Sequence, residues 1–211
     1  MSAHVSLVDA LRLVVILDAG VAGDRDLASL AAVAAAGGAT MLQVRAKRMA
    51  AGDLADLVRR VMAAAALPVV VNDRLDVALA TGAAGCHLGQ DDFPIEAARA
   101  FAPAGFWLGG SAGNPEEARR AVGGGAHYLG IGPVAVTGSK DDAGAAIGVE
   151  GFRRVLAAAP GMPAVAIGGV TATLASELIA AGASGVAVIR AVLDARDPER
   201  ATRDLRSAVG R

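Results

Sequence analysis

Eight short apolar runs alternating with Ala-rich helical patterns predict a (β/α)8 TIM barrel, an α/β fold forming one domain over residues 1–211. Three observations carry that expectation. The first is composition: 54% of residues are hydrophobic but only 3% aromatic, with 27 glycines. The core must therefore be Ala, Val, Leu and Ile, as suits close-packed helices around buried parallel strands. The second is the alternation itself. The third is an internal repeat: Gly38-Ala39, Gly82-Ala83, Gly125-Ala126 and Gly182-Ala183 each stand just ahead of an apolar run. The first three are 44 and 43 residues apart, room for two βα units each, and precede strands two, four and six. The fourth precedes strand eight after a gap of 57, and the surplus falls in 132–148, a long functional loop after strand six. A Gly-Ala pair can also be nothing more than a helix C-cap; the regular spacing favours the barrel.

Taken in order, Leu13–Leu17 is an unbroken apolar strand. The charge-free stretch from Leu27 to Val44 contains Ser29, Gly37, Gly38, Thr40 and Gln43, so it reads as helix, turn and strand (Met41–Val44) rather than a membrane span. A helical pattern over Asp53–Ala65 leads to strand Val69–Val71. Strands Gly85–His87 and Trp107–Gly109 follow. Asn114 before Pro115, with Glu116 and Glu117 behind, starts a helix over Pro115–Val122. Strand Tyr128–Ile131, helix Val149–Ala158, strand Ala164–Ile167, helix Thr171–Ala180 and strand Val186–Val188 complete the set.

The bulk properties exclude several function classes. Net charge is −1 and the basic residues are scattered, which disfavours nucleic acid as a partner. A single cysteine, Cys86, excludes a disulfide framework and a cysteine zinc site, and fits a cytoplasmic location. Met1 to Val8 has neither basic residues nor an apolar core, so it is not a secretory signal. His4 and His127 have no ligand spacing, and His87 reads as a buried strand-end residue. A homo-oligomer is compatible with the sequence.

Barrels of this class carry their chemistry at the C-terminal ends of the strands. Strand three ends in Asn72-Asp73-Arg74, and strand four runs into Gln90-Asp91-Asp92. Asp73 and Asp92, one acid from each, suit Mg²⁺, which takes one or two protein carboxylates and leaves its other positions to water and phosphate. Either acid alone could equally cap the next helix. Gln43, Arg45 and Lys47 alternate along strand two and so face one side, where two cations and an amide suit a polyanion. Gly109–Asn114 reads as a flexible turn presenting Ser111. Thr137-Gly138-Ser139-Lys140 has the composition of a phosphate cradle. Gly168-Gly169 after strand seven and Ile189-Arg190 after strand eight occupy the usual phosphate position of such barrels.

In order and spacing, these motifs resemble the thiamine-phosphate synthase family. The resemblance spans Gln43 to Arg190 and rests on Gln-x-Arg-x-Lys at 43–47, Asn-Asp-Arg at 72–74, His-x-Gly-Gln-x-Asp at 87–92, Gly-x-Ser at 109–111, Thr-x-Ser-Lys at 137–140 and Ala-Ile-Gly-Gly at 166–169. It implies a transferase that joins 4-amino-2-methyl-5-(diphosphooxymethyl)pyrimidine to hydroxyethylthiazole phosphate, releasing pyrophosphate. Gln43, Arg45, Lys47 and Asn72 would then hold the pyrimidine diphosphate, with Asp73 and Asp92 on its Mg²⁺. Ser111 and Lys140 would face the diphosphate as the catalytic pair. Thr137, Ser139, Gly169, Ile189 and Arg190 would hold the thiazole phosphate. The chain departs from the family's pattern at three places. Ser139 replaces a Thr but keeps its hydroxyl, Gly113 stands where a His is common, and Arg190 replaces a small residue.

Three other readings compete. A thiazole tautomerase shares the barrel but needs neither metal nor a diphosphate grip, so the retained Asp73, Asp92, Arg45 and Lys140 count against it. A Schiff-base aldolase would need Lys140 desolvated, which a loop setting disfavours. A non-catalytic phosphate-binding barrel would have little use for so complete a set of charged strand ends.

Overall fold

Strands β1 (Leu13–Asp18), β2 (Met41–Arg45), β3 (Val69–Asn72), β4 (Gly85–Leu88), β5 (Trp107–Ala112), β6 (Tyr128–Ile131), β7 (Ala164–Ile167) and β8 (Gly185–Val188) pair in parallel, each with the next. β1 also pairs with β8, closing the (β/α)8 barrel that the alternation predicts. The computed structural model describes residues 5–136 and 145–210. No helix among them is long and apolar enough to cross a membrane.

Each strand is buried along nearly its whole length, because helices cover the outside and side chains fill the inside. That explains the continuous Val/Ile/Leu runs. Five of the eight strands run past the end their apolar run suggests, by one residue in β1 to β4 (Asp18, Arg45, Asn72, Leu88) and by three in β5. Of the residues added in β1 to β3, each is polar and buried. The barrel interior thus changes character toward its C-terminal end. Gln43, Arg45, Asn72, His87 and Tyr128 line a small internal space of about 20 Å³ there, beside apolar Val14, Ile16 and Val165.

The Gly-Ala repeat has a definite local geometry. Ala39, Ala83, Ala126 and Ala183 each donate N–H to the carbonyl five residues back, and the glycine ahead of each donates to the carbonyl three back. This is the Schellman pattern, and all four glycines have the positive φ it requires, from 70° to 103°. The alanine that follows is buried each time. The two readings of the repeat are therefore one fact: identical helix caps feed strands two, four, six and eight.

Helix starts follow their sequence signals. Asn114 Oδ1 accepts from the N–H groups of Glu116 and Glu117, both at 3.0 Å, and Pro115 opens helix Pro115–Gly123. Thr171 caps helix Ala172–Ala180 in the same way. Several helices go beyond those named from the sequence, among them Leu7–Ala10 ahead of β1, a short helix Arg190–Leu193 after β8 and a closing helix Pro198–Ala208.

Candidate active site

β2 places two of its polar side chains by simple alternation. Gln43 and Arg45 both reach the interior space, while Lys47 lies exposed beyond the strand end. Arg45 is 8% exposed and forms an ion pair with Asp18, itself 4% exposed. The pairing is a direct consequence of register, since Asp18 of β1 lies opposite Arg45 of β2. The other oxygen of Asp18 accepts from Gly20 N (2.9 Å) and Val21 N (3.1 Å), so its orientation is fixed twice. Arg45 Nε is buried and has no hydrogen-bond partner among the described residues. Burying a guanidinium with one donor unspent is costly, and a site that accepts an anion makes sense of it. Asp18 is absent from the sequence-derived site; its signal was an acid at the end of the first apolar run.

Asp73 and Asp92 come together. Burial pushes the Asp73 carboxyl up to about 6, the hydrogen bond and charge of Asp92 push it the same way, and Lys47 and Arg45 pull it down. Two carboxyls close enough to share a proton, with cations alongside, form a site that a divalent ion would satisfy better than a proton. Asp73 has φ 65°, a left-handed conformation that Asp tolerates better than most residues, and its N–H donates to His87 O at 2.8 Å. Asp92 is held from the other side, where Oδ2 accepts from Gly89 N at 2.7 Å. Among the described residues no cluster of three or more His, Cys, Asp or Glu could hold a metal, so any ion here rests on these two acids and its ligand. Arg74, the third residue of the motif, turns away to a bidentate pair with Asp76 (2.9 and 2.6 Å).

Ser111 lies within β5, correcting the expectation of a flexible turn over Gly109–Asn114; only Gly113 and Asn114 lie beyond the strand. A strand position is the better support, because its side chain direction is fixed by the pleat. His87 is buried as expected, but it does more than fill space: its Nε2 is 3.1 Å from Ser111 Oγ and its Nδ1 is 3.2 Å from Tyr128 Oη.

A cavity of about 880 Å³ opens over the β4 to β8 ends, bordered by His87, Ser111, Gly169, Ile189 and Arg190 among others. Asp73, Asp92 and Lys47 are outside its lining, on the β2 to β4 side of the same barrel mouth. The cavity and the interior space share His87, Ile167, Ala187 and Ile189, so the two halves of the site adjoin. Arg190 pairs with Asp194 on its own short helix at 3.0 Å. Val136 and Ala145 both border the cavity. Thr137, Ser139 and Lys140, and the middle of the 132–148 loop with them, lie outside the described residues.

Gly168 and Gly169, at the phosphate position expected from the sequence, also admit another stretch of the chain. A Cβ on Gly169 would sit 2.7 Å from Val136 O and 2.8 Å from Ala135 Cβ, and both glycines have positive φ. Val134 and Ala135 donate to Ile167 O and Gly168 O (both 2.9 Å), so the segment after β6 is tied along the end of β7.

Glu117 is a second residue missed by sequence reasoning, which gave it only a role at the helix start. Its Oε2 accepts from Gln90 Nε2 (2.7 Å) and Gly113 N (2.6 Å), and Oε1 from Asn114 Nδ2 (2.7 Å). One carboxylate thus ties the loop after β4, which carries Asp92, to the loop after β5. Glu117→Ala should cost about 1 kcal/mol or more in thermal or denaturant unfolding, because three donors lose their common carboxylate. Glu117→Gln, which retains one acceptor oxygen, should cost less. Equal melting of both variants and the wild type would show that the tie contributes nothing.

Burial, with Asp73 and Asp92 nearby, pushes the Cys86 thiol up, so it does not offer a thiolate nucleophile.

Residues 13–192 match the family model for thiamine monophosphate synthase. The chain is 44% identical over 200 residues to thiamine-phosphate synthase of Methanoculleus marisnigri, covering 93% of this chain and 94% of that one. It is 45% identical over 202 residues to the Moorella thermoacetica thiamine-phosphate synthase, covering 94% and 96%. Among solved structures it superposes on thiamine phosphate pyrophosphorylase from Pyrococcus furiosus with a TM-score of 0.86 and 36% identity, over 97% of this chain and 98% of that one.

Proposed function

The chain belongs to the thiamine monophosphate synthase family, and from that premise we propose that it condenses 4-amino-2-methyl-5-(diphosphooxymethyl)pyrimidine with hydroxyethylthiazole phosphate. The products are thiamine phosphate and pyrophosphate, which makes the enzyme a transferase. The observation that carries the reading is the meeting of Asp73 and Asp92 beside Lys47 and Arg45. A carboxylate pair within a cationic surround is what a metal-bound diphosphate requires, and a tautomerase has no use for it.

The chemistry asks little of the protein by way of proton transfer. The aminopyrimidine can stabilise a cation at its methylene carbon, so the C–O bond to the diphosphate can break first. The thiazole nitrogen then attacks that carbon with its own lone pair. Charge develops on the leaving diphosphate, and donors aimed there lower the barrier. Arg45, with its unspent Nε, and Lys47 supply fixed positive charge, Lys140 supplies a third cation, and Ser111 donates a hydrogen bond. Gln43 and Asn72 orient the pyrimidine. Asp73 and Asp92 would hold Mg²⁺, which when bound neutralises diphosphate charge. Thr137, Ser139, the Gly169 backbone and the N–H groups at Ile189 and Arg190 hold the thiazole phosphate. The Arg190 side chain itself pairs with Asp194. Holding the two rings in register supplies much of the remaining rate enhancement.

The direct test is to mix the purified protein with both precursors and Mg²⁺ and look for thiamine phosphate. Product should form with both precursors and not with either alone. Isomerisation of the thiazole phosphate without coupling would overturn the assignment in favour of a tautomerase. Borohydride trapping of a carbonyl compound on Lys140 would overturn it in favour of an aldolase.

A further inference from the structure

His87 sits where two halves of the site meet, and everything around it is cut to fit. A Cβ on Gly109 would run into the Tyr128 ring and His87 Nδ1, and one on Gly130 would lie 3.0 Å from His87 Cε1. Two glycines on neighbouring strands thus leave a slot for one imidazole bonded at both nitrogens. The rings of His87 and Tyr128 are tilted by 42° with centroids 5.5 Å apart, a geometry set by the Oη to Nδ1 contact rather than by stacking. Tyr128 is 1% exposed, and its hydroxyl also hydrogen-bonds the side chain of Gln43. The four groups therefore form one chain, from Gln43 through Tyr128 and His87 to Ser111.

Such a chain has two possible directions. The phenol, kept neutral by burial, has one proton to give. If that proton goes to Gln43, then His87 Nδ1–H donates to the phenol and Nε2 must accept from Ser111, turning the Ser111 lone pairs toward the cavity. If it goes to His87 Nδ1, the Gln43 amide donates to the phenol, His87 Nε2–H donates to Ser111 Oγ, and the Ser111 proton is left to donate outward. Only the second order suits an anion, because each bond polarises the next in the same sense.

We propose that Gln43, Tyr128 and His87 form a one-way hydrogen-bond relay that holds His87 as the neutral Nε2–H tautomer and aims the Ser111 hydroxyl proton at the leaving diphosphate. His87 and Tyr128 are positioning residues in this scheme; Ser111 makes the contact. The inference rests on the functional reading above for the identity of the anion. It also links the two ends of one substrate, since Gln43 serves the pyrimidine and Ser111 its diphosphate.

The tautomer can be read directly by ¹⁵N NMR of histidine-labelled protein. The chain has three histidines, so His87 is assigned by difference against His4→Gln and His127→Gln spectra. The expected pattern is protonated Nε2 and bare Nδ1, with and without inorganic pyrophosphate. An Nδ1–H tautomer or an imidazolium would overturn the relay. Kinetically, Tyr128→Phe preserves the ring but severs the chain, and should lower kcat about tenfold, the equivalent of one hydrogen bond, with both KM values nearly unchanged. A raised KM for the pyrimidine diphosphate at unchanged kcat would overturn it, because Tyr128 would then only shape a pocket. Should Tyr128→Phe not fold, the wild-type tautomer still decides. The tautomer is read without turnover, so a failed relay shows as the wrong tautomer in a protein that makes thiamine phosphate. A failed functional reading shows as absent product whatever the tautomer.

Discussion

Asp73→Asn should lower turnover by roughly a hundredfold or more, since the several kcal/mol that a metal ion contributes to stabilising charge would be largely lost. Part of the loss should return as Mg²⁺ is raised, because Asp92 and the diphosphate remain as ligands. The fold should survive: Asn adopts the left-handed backbone at this position as readily as Asp, and the side chain is not in the hydrophobic core. Undiminished wild-type activity in EDTA would remove the metal from the reaction. The same substitution has a pH signature in the metal-free protein. Folding raises the Asp73 carboxyl from 3.8 to about 6, so between those values the native state holds a proton that the unfolded chain has released. This group's contribution to stability is therefore fullest below about pH 4 and is lost as pH rises through 6. Asp73→Asn should flatten that part of the melting-temperature profile, and saturating Mg²⁺ should reverse the slope in the wild type. Identical profiles for variant and wild type without metal would contradict the carboxylate pairing.

Asp18→Asn should be the most destabilising single change near the site. It keeps an oxygen for Gly20 and Val21 but removes the negative charge that, among the described residues, forms the ion pair with the buried Arg45 guanidinium. Breaking a buried pair from one side costs about 3–5 kcal/mol. In a domain of this size that is a fall of roughly 6–20 °C in Tm. Combining it with Arg45→Met should recover much of the stability and none of the activity, because the leftover charge disappears along with a diphosphate ligand. A single variant that melts with the wild type would show that solvent reaches Arg45 after all.

The pattern of what was legible follows from the physics. Buried parallel strands announce themselves as apolar runs, and a polar residue directly after such a run stands at the mouth of the barrel. Asp73, Asp92, Asn72 and Arg45 could be found in that way. Asp18 stands in the same position after strand one, yet its importance depends on lying opposite Arg45, and register between strands is not written in either strand alone. Glu117 looked like an ordinary first-turn acid because its partners, Gln90 and Gly113, come from loops that only the closed barrel brings together. In sequence Ser111 reads as a turn residue because two glycines precede it; those glycines are strand residues, and Gly109 makes room for His87 and Tyr128. The sequence marks His87 as a buried strand-end residue, but burial alone gives no hint of which groups its two nitrogens meet.

The four matching helix caps have a consequence for how this chain could be rebuilt. Each Gly-Ala junction delivers the chain to an even-numbered strand at the barrel end away from the acids, with the same backbone turn every time. The segments from one junction to the next are therefore cassettes with interchangeable ends. Recombining them among relatives at Gly38, Gly82, Gly125 and Gly182 would exchange pairs of catalytic loops as sets, leaving every splice in a conformation the neighbouring cassette already accepts.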